Sequence, residues 1–182
     1  MKIALIYQSI MKVINKLLPE LYADRIHEMM SGIKFNWHFL DDITYANEGP
    51  HQRGTPGFAH LFFDEQEGIE SECLDFVYPI LLHFIPKKHK LLRIKGGLLL
   101  STKTGYNRPH IDFDIPHTTA LYYVNDSDGE TIFFDENGTI TDKVKPEKNK
   151  LIIFDGSKMH ASSSPTYATN RIVINFNYVC TD

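Results

Sequence analysis

The stretch RIVINFNYV at positions 171–179 says more about the fold than any other part of the sequence. Side chains two apart on a strand point to the same side, so the stretch separates into two faces. One face is Ile172, Ile174, Phe176 and Tyr178, and the other is Arg171, Val173, Asn175 and Asn177. We predict a strand near the end of a closed sheet, with its apolar face against outer helices and its polar face turned inward. The alternative is that the polar face simply meets water.

Similar runs precede this strand from about residue 90 onward. They are LLRIK, GGLLLS, RPHIDF, TALYYV, TIFF and KLIIF, with turn signals at Thr104-Gly105, Asn125 to Gly129 and Glu136 to Gly138. Seven or more evenly spaced short strands are typical of a jelly roll. The sequence therefore predicts a mainly β fold with flanking α-helices.

The N-terminal half is instead dominated by helical periodicity. Leu18, Tyr22, Ile26 and Met29 recur at helical spacing and predict a helix over about 19–31. A second helical stretch carries Leu74, Val77, Leu81 and Phe84 on one face, with Pro79 as a kink or restart. We predict one domain over 1–182, with helical support over about 1–89 and a β core over about 90–182.

Two further segments of this half are predicted from composition. The apolar run Ile3 to Tyr7 is read as a first strand, because it is too short for a signal-peptide core. Residues 44–56, TYANEGPHQRGTP, are rich in Gly, Pro and polar groups and show no periodicity. We predict that they form a mobile loop over a substrate entrance.

The composition of the 182-residue chain argues against several classes of protein. A net charge of -4 lacks the strong basic field that many nucleic-acid-binding proteins use. Cys73 and Cys180 are far apart and form no CxxC pair, so we expect no disulfide framework or zinc ribbon. The apolar stretches are too short to cross a bilayer. We expect a soluble, cytoplasmic protein without a nucleic-acid or membrane partner.

A histidine and an aspartate lie two positions apart in RPHIDF. On a strand, His110 and Asp112 would project to one side. His160 follows fifty residues later, after the run LIIF and the turn Asp155-Gly156, where a jelly roll can return the chain. Two histidines and a carboxylate on one face of a metal are typical of non-haem iron oxygenases. Taken singly, His110 is equally well an edge or surface histidine, and His160 a turn histidine.

Four segments in order carry a resemblance to a known family: TGYNRPHIDF, ALYYVND, DGETIFF and MHASSSPTYATNRIVINFNY. Together they resemble the Fe(II)/2-oxoglutarate dioxygenase superfamily, and are most similar to its prolyl-hydroxylase-like branch. The resemblance covers about residues 90–179 and implies a double-stranded β-helix. The iron ligands that it implies are His110, Asp112 and His160. The implied 2-oxoglutarate contacts are Arg171 and Tyr123 at the distal carboxylate, with Asn175 as a further cofactor-binding residue.

The sequence also departs from the family pattern. Leu99 or Leu100 lies where some prolyl hydroxylases have another tyrosine that contacts the co-substrate. Asn177 lies where nucleic-acid demethylases usually have a second arginine, which disfavours that branch. Asp114 and His117 are near the metal motif but do not fit the family's ligand pattern.

The resemblance implies an oxygenase that uses iron(II), 2-oxoglutarate and dioxygen to hydroxylate a C–H bond of a peptide or small-molecule substrate. A peptidyl prolyl or other amino-acid side chain is the leading substrate, and the oligomeric state is left open. One alternative is a cupin-like metal-binding or small-molecule-binding module without oxygenase activity, since a jelly roll hosts many functions. Another is a degenerate oxygenase that serves as a binding scaffold. Arg171 favours the oxygenase, because a plain binding cupin has no need of a buried guanidinium opposite its metal.

Overall fold

The computed structural model describes residues 11–43, 55–102 and 105–181. Its elements in chain order are β1 (Lys12–Ile14), α1 (Glu20–Ser31), β2 (His38–Leu40), β3 (Gly57–Asp64), β4 (Gly68–Ile69), α2 (Leu74–Leu81), β5 (His89–Leu100), β6 (Thr118–Tyr123), β7 (Thr131–Phe134), β8 (Ile140–Val144), β9 (Lys150–Asp155), β10 (His160–Ser162) and β11 (Asn170–Cys180). No helix within these ranges is both long enough and apolar enough to cross a membrane.

The strands form two antiparallel sheets. The major sheet has the order β1-β9-β6-β11-β5-β3-β2, with β4 paired to β3, and the minor sheet has the order β10-β7-β8. Tyr123 of β6, Phe133 of β7 and Phe154 of β9 lie in one buried apolar cluster, so the two sheets pack face to face. The predicted double-stranded β-helix is confirmed.

Strand β11 lies inside the major sheet, between β6 and β5, and its two faces divide as its sequence predicts. Its apolar residues belong to the larger core, which also contains Ile26 and Met30 of α1 and Val77 of α2. Arg171, Val173 and Asn175 face the space between the two sheets instead, where they line a cavity. The alternative that this face meets water is therefore wrong.

The helices match their predicted positions with small differences. Helix α1 follows Pro19, whose fixed φ suits entry into a helix, and ends before Gly32. Helix α2 is shorter than its apolar pattern indicates, and Pro79 lies inside it. Turns that follow α2 extend the chain to Ile85, whose backbone N–H donates to the carbonyl of Leu81.

Several predicted strands need correction. RPHIDF is not a strand, because its backbone makes only an isolated bridge at His110. LLRIK and GGLLLS are parts of the single strand β5. The predicted helical half also contributes β1, β2, β3 and β4 to the major sheet. The predicted strand at 3–7 and residues 44–54 of the predicted loop lie outside the described residues. The division into one domain stays a prediction.

Candidate active site

Backbone pairing brings the two candidate histidine ligands together across fifty residues of sequence. The N–H of His110 donates to the carbonyl of His160 at 2.9 Å, and the N–H of His160 donates back at 3.0 Å. The two ring centroids are consequently 4.7 Å apart. One candidate ligand atom from each of His110, Asp112 and His160 lies within 4.8 Å of the others. The side chains therefore converge as predicted, although an irregular segment rather than a strand carries His110 and Asp112.

Three neutral donors orient the carboxylate of Asp112. Its Oδ2 accepts hydrogen bonds from the amide groups of Asn175 and Asn177, each at 2.9 Å, and from the hydroxyl of Thr119 at 3.3 Å. Its Oδ1 lies 3.8 Å from Nε2 of His110. With Oδ2 occupied by these donors, Oδ1 is the oxygen that faces the histidines. This arrangement fits a carboxylate that offers one oxygen to a metal.

The two imidazole rings are oriented in the same way. Nδ1 of His110 lies 3.2 Å from the carbonyl of Arg108, and Nδ1 of His160 lies 3.0 Å from the carbonyl of Lys158. A proton on Nδ1 leaves Nε2 of each ring with a lone pair for a metal. Burial, followed by the neighbouring His160, lowers the pKa of His110 to about 4. His110 is thus neutral at physiological pH, as a metal ligand must be.

The charge of Asp112 is also fixed by its surroundings. Burial alone would raise the pKa of this carboxyl group, but His160, Arg93, His110 and the hydrogen bond from Asn175 together lower it further. The net result is a pKa well below the ordinary value for an aspartate, so the group is ionised at neutral pH. One carboxylate and two imidazoles match the donor set that non-haem iron(II) accepts.

Arg171 lies four residues before Asn175 on β11 and lines the same cavity. Its side chain is buried, with Nε donating to the carbonyl of Gly129 at 2.8 Å and a terminal nitrogen donating to the hydroxyl of Thr131 at 2.8 Å. Within the part of the chain that the structure describes, no carboxylate pairs with it. A buried guanidinium held only by neutral acceptors is costly until an anion arrives.

Tyr123 and Asn175, the other two predicted co-substrate contacts, take different positions. The hydroxyl of Tyr123 donates to Thr131 at 2.8 Å, and Thr131 rather than Tyr123 lines the cavity. Asn175 does line the cavity, but its amide donates to Asp112 at the metal end. Leu99 pairs with Arg171 across the sheet and lines the cavity. It is one of the two leucines that lie where some prolyl hydroxylases have a tyrosine.

Two cationic side chains of β5, Arg93 and Lys95, also line the cavity. The sequence motifs did not single them out. Arg93 donates to Oδ1 of Asp112 at 3.4 Å and to Oδ1 of Asn177 at 3.2 Å. Lys95 pairs across the sheet with Asn175. Burial, followed by the charge of Arg93, lowers the pKa of Lys95 to about 8. The signal that could have found them is the alternation of Arg93 and Lys95 with Leu92 and Ile94.

The rival ligands do not join the cluster. Asp114 is exposed. The ring of His117 packs directly over Gly156, where an added Cβ would lie 2.0 Å from its Nε2. Neither residue belongs to the group of candidate ligand atoms around His110.

Comparison with known families supports the interpretation of this site. Residues 97–179 match the model of the 2OG-Fe(II) oxygenase superfamily. The match covers 83 of the 182 residues and includes the three candidate ligands and Arg171. The matched model indicates a dioxygenase that uses iron(II), 2-oxoglutarate and dioxygen. No curated protein sequence matches the chain.

Solved structures of 2OG-Fe(II) oxygenases share the fold at low sequence identity. An oxidoreductase of this family from Burkholderia pseudomallei has a TM-score of 0.69 and 9% identity, covering 93% of this chain and 84% of that one. A prolyl hydroxylase from Trichoplax adhaerens, in complex with a hypoxia inducible factor peptide fragment, has a TM-score of 0.61 and 16% identity, covering 93% and 83%. HygX from Streptomyces hygroscopicus, bound to nickel, 2-oxoglutarate and hygromycin B, has a TM-score of 0.58 and 11% identity, covering 94% and 83%.

Proposed function

We propose that this oxygenase is a hydroxylase in which His110, Asp112 and His160 hold iron(II). The observation that carries the proposal is the convergence of three oriented ligand atoms within 4.8 Å in the cavity that Arg171 also lines. In this superfamily, iron(II) and 2-oxoglutarate supply the oxidation of a C–H bond, with succinate and carbon dioxide as co-products. The protein supplies placement and electrostatics.

Arg171 and Thr131 are the proposed receptors for the distal carboxylate of 2-oxoglutarate. The guanidinium can donate to a carboxylate with its fixed fork, and its own acceptors here are neutral. The hydroxyl oxygen of Thr131 already accepts from both Tyr123 and Arg171, so its proton remains available to an acceptor in the cavity. Tyr123 would then affect 2-oxoglutarate binding indirectly, by orienting the hydroxyl of Thr131. Arg171 also separates this proposal from the cupin-like alternative, because an anion-free binding module gains nothing from burying it.

The proposed substrate is a peptidyl prolyl or other amino-acid side chain, as the resemblance to prolyl hydroxylases implies. Two of the similar structures bind chemically different second molecules, a peptide fragment and hygromycin B. Panels of both peptides and metabolites are therefore needed. Succinate formation with iron(II) and 2-oxoglutarate, scored against each panel, identifies the substrate.

The metal assignment is tested by anaerobic titration with iron(II) and 2-oxoglutarate, followed by the weak visible charge-transfer band. We expect His160→Ala to lose the band, because one of three protein ligands is gone. His83→Ala, which changes an exposed histidine, is the matched control and should keep it. If the His160→Ala protein gave the band at full intensity and equal affinity, the ligand assignment would be wrong.

A further inference from the structure

The cavity carries more positive charge than the proposed reaction uses. Arg93, Lys95 and Arg171 line it, and Asp112 is the sole carboxylate among the described residues that do. Bound iron(II) would add two positive charges, and the 2-oxoglutarate dianion would remove two. A surplus of two positive charges remains once metal and co-substrate are in place. Inside a cavity of low dielectric, such a surplus is costly unless another anion enters.

The three cations are not equivalent, because two of them already have partners. Arg171 donates to Gly129 and Thr131, and Arg93 donates to Asp112 and Asn177 while its guanidinium lies 4.7 Å from the ring centroid of Phe113. For the ammonium group of Lys95, the described residues provide neither a hydrogen-bond acceptor nor an ion-pair partner. Lys95 is therefore the cation that is free to meet a ligand.

Lys95 also lies on a different side of the cavity from the proposed 2-oxoglutarate pocket. Arg171 extends towards Gly129 and Thr131, and Thr131 belongs to β7 of the minor sheet. Lys95 lies on β5, which separates β11 from β3 in the major sheet. Its cross-strand partner on β3 is Leu61, which is apolar and only partly buried. Among the described residues, this side therefore combines an unpaired cation with an apolar neighbour.

We propose that Lys95 binds a carboxylate of the hydroxylated substrate, so that the substrate is an anionic amino-acid derivative or peptide with an apolar part. The proposal rests on the proposed function, because the substrate carboxylate is assigned to Lys95 only if 2-oxoglutarate occupies Arg171. Arg93 adds to the positive potential without making the contact. The substrate's apolar part contacts Leu61, the cross-strand neighbour of Lys95. An uncharged substrate would leave the Lys95 ammonium without a partner.

The test uses the protein loaded anaerobically with manganese(II) and saturating 2-oxoglutarate. The probes are N-acetyl amino acids, each supplied as the free carboxylate and as the matched primary amide, and binding is measured by calorimetry. We expect at least one pair in which the carboxylate binds about tenfold or more tightly, the effect of one hydrogen bond to a charged group. Lys95→Met should remove this preference, and Lys95→Arg should keep most of it. Lys87→Met, at an exposed lysine, is the matched control.

The outcomes separate this proposal from the proposed function. Equal binding of every carboxylate and its amide, or a preference that survives in Lys95→Met, overturns the role of Lys95. So does a Lys95→Met protein whose dissociation constant for 2-oxoglutarate rises as much as that of Arg171→Ala, because Lys95 would then belong to the co-substrate site. Failure of the unmodified protein to bind 2-oxoglutarate with manganese would instead overturn the proposed function itself.

Discussion

The two faces of β11 are buried for different reasons. The face towards the helices is apolar throughout and packs in the main core, where Ile174 and Phe176 are fully buried. The face towards the cavity holds an arginine and two amides, each engaged in hydrogen bonds. Burial of the first face stabilises the fold, whereas burial of the second face has a desolvation cost that its hydrogen bonds offset in part. Substitutions on neighbouring residues of one strand should therefore affect different measurements.

The largest effect should come from Phe176→Ala on the core face. The Phe176 ring is fully buried and lies 5.6 Å from that of Phe84 between centroids. We expect the free energy of unfolding to fall by about 3–5 kcal/mol, from lost burial and the cavity left behind. Urea unfolding of the metal-free protein measures it, with the exposed Phe39→Ala as control. Equal losses for the two variants would contradict the division between the faces.

The next largest effect should come from Arg171→Ala on the cavity face. We expect the free energy of 2-oxoglutarate binding to weaken by about 2–5 kcal/mol, the usual cost of removing one partner of a buried charged pair. Arg171→Lys should be intermediate, because lysine keeps the charge but lacks the fork. Anaerobic titration with manganese bound gives both dissociation constants. Metal binding should survive in both variants, and unchanged 2-oxoglutarate affinity in Arg171→Ala would favour the cupin-like module.

A smaller effect should come from the two amides that orient Asp112. We expect Asn175→Ala and Asn177→Ala each to lower metal affinity about 10–100-fold, as substitutions behind metal ligands do. Thr119→Val should cost less, because its hydrogen bond to Asp112 is longer, at 3.3 Å against 2.9 Å. Competition with a metal chelator ranks the three variants. A metal affinity in the asparagine variants equal to that of the unmodified protein would mean that Asp112 needs no such support.

The smallest effect should come from Tyr123→Phe. Its hydroxyl donates to Thr131 rather than into the cavity, so its loss should weaken 2-oxoglutarate binding by about 0.5–1.5 kcal/mol, the net value of one neutral hydrogen bond. Thr131→Val should cost more, because it removes the acceptor of Arg171 as well. The same titration decides the order. A larger cost for Tyr123→Phe would show that the phenol meets the carboxylate directly.

The sequence alone was enough to predict β11 and its two faces, because a period of two is a local pattern. The same alternation runs through Arg93 and Lys95, but the glycines that follow were interpreted as a break between two strands. In the structure, Gly96 continues β5 and lies under α1, where an added Cβ would be 3.1 Å from Met30 and 3.3 Å from Phe62. These contacts come from distant parts of the chain, so no local pattern reveals them.

The same limitation explains the other errors. Strand β3 was missed because a bulge between Leu61 and Phe63 interrupts its alternation. The alternation of His110 and Asp112 with apolar residues predicts a strand around His110, yet the segment pairs only through isolated bridges, His110 with His160 and Tyr106 with Ser163. The three candidate ligands could still be chosen before the structure brought them together, since the family resemblance depends on their order along the chain. The residues that donate hydrogen bonds to Asp112 could not be predicted. Thr119, Asn175 and Asn177 come close to it only through the pairing of strands.

The bridge between His110 and His160 has a consequence for the folding of the metal-bound protein. A metal held by both rings would close a loop of about fifty residues, which contains β6, β7, β8 and β9. In the chain-entropy description of cross-links, closing a loop of that length lowers the conformational entropy of the unfolded chain. This stabilises the folded state by about 4 kcal/mol. The ion would therefore act as a reversible cross-link. It would tie the start of the β-helix to its return strand, so that removing the ion would lower the free energy of unfolding by a comparable amount.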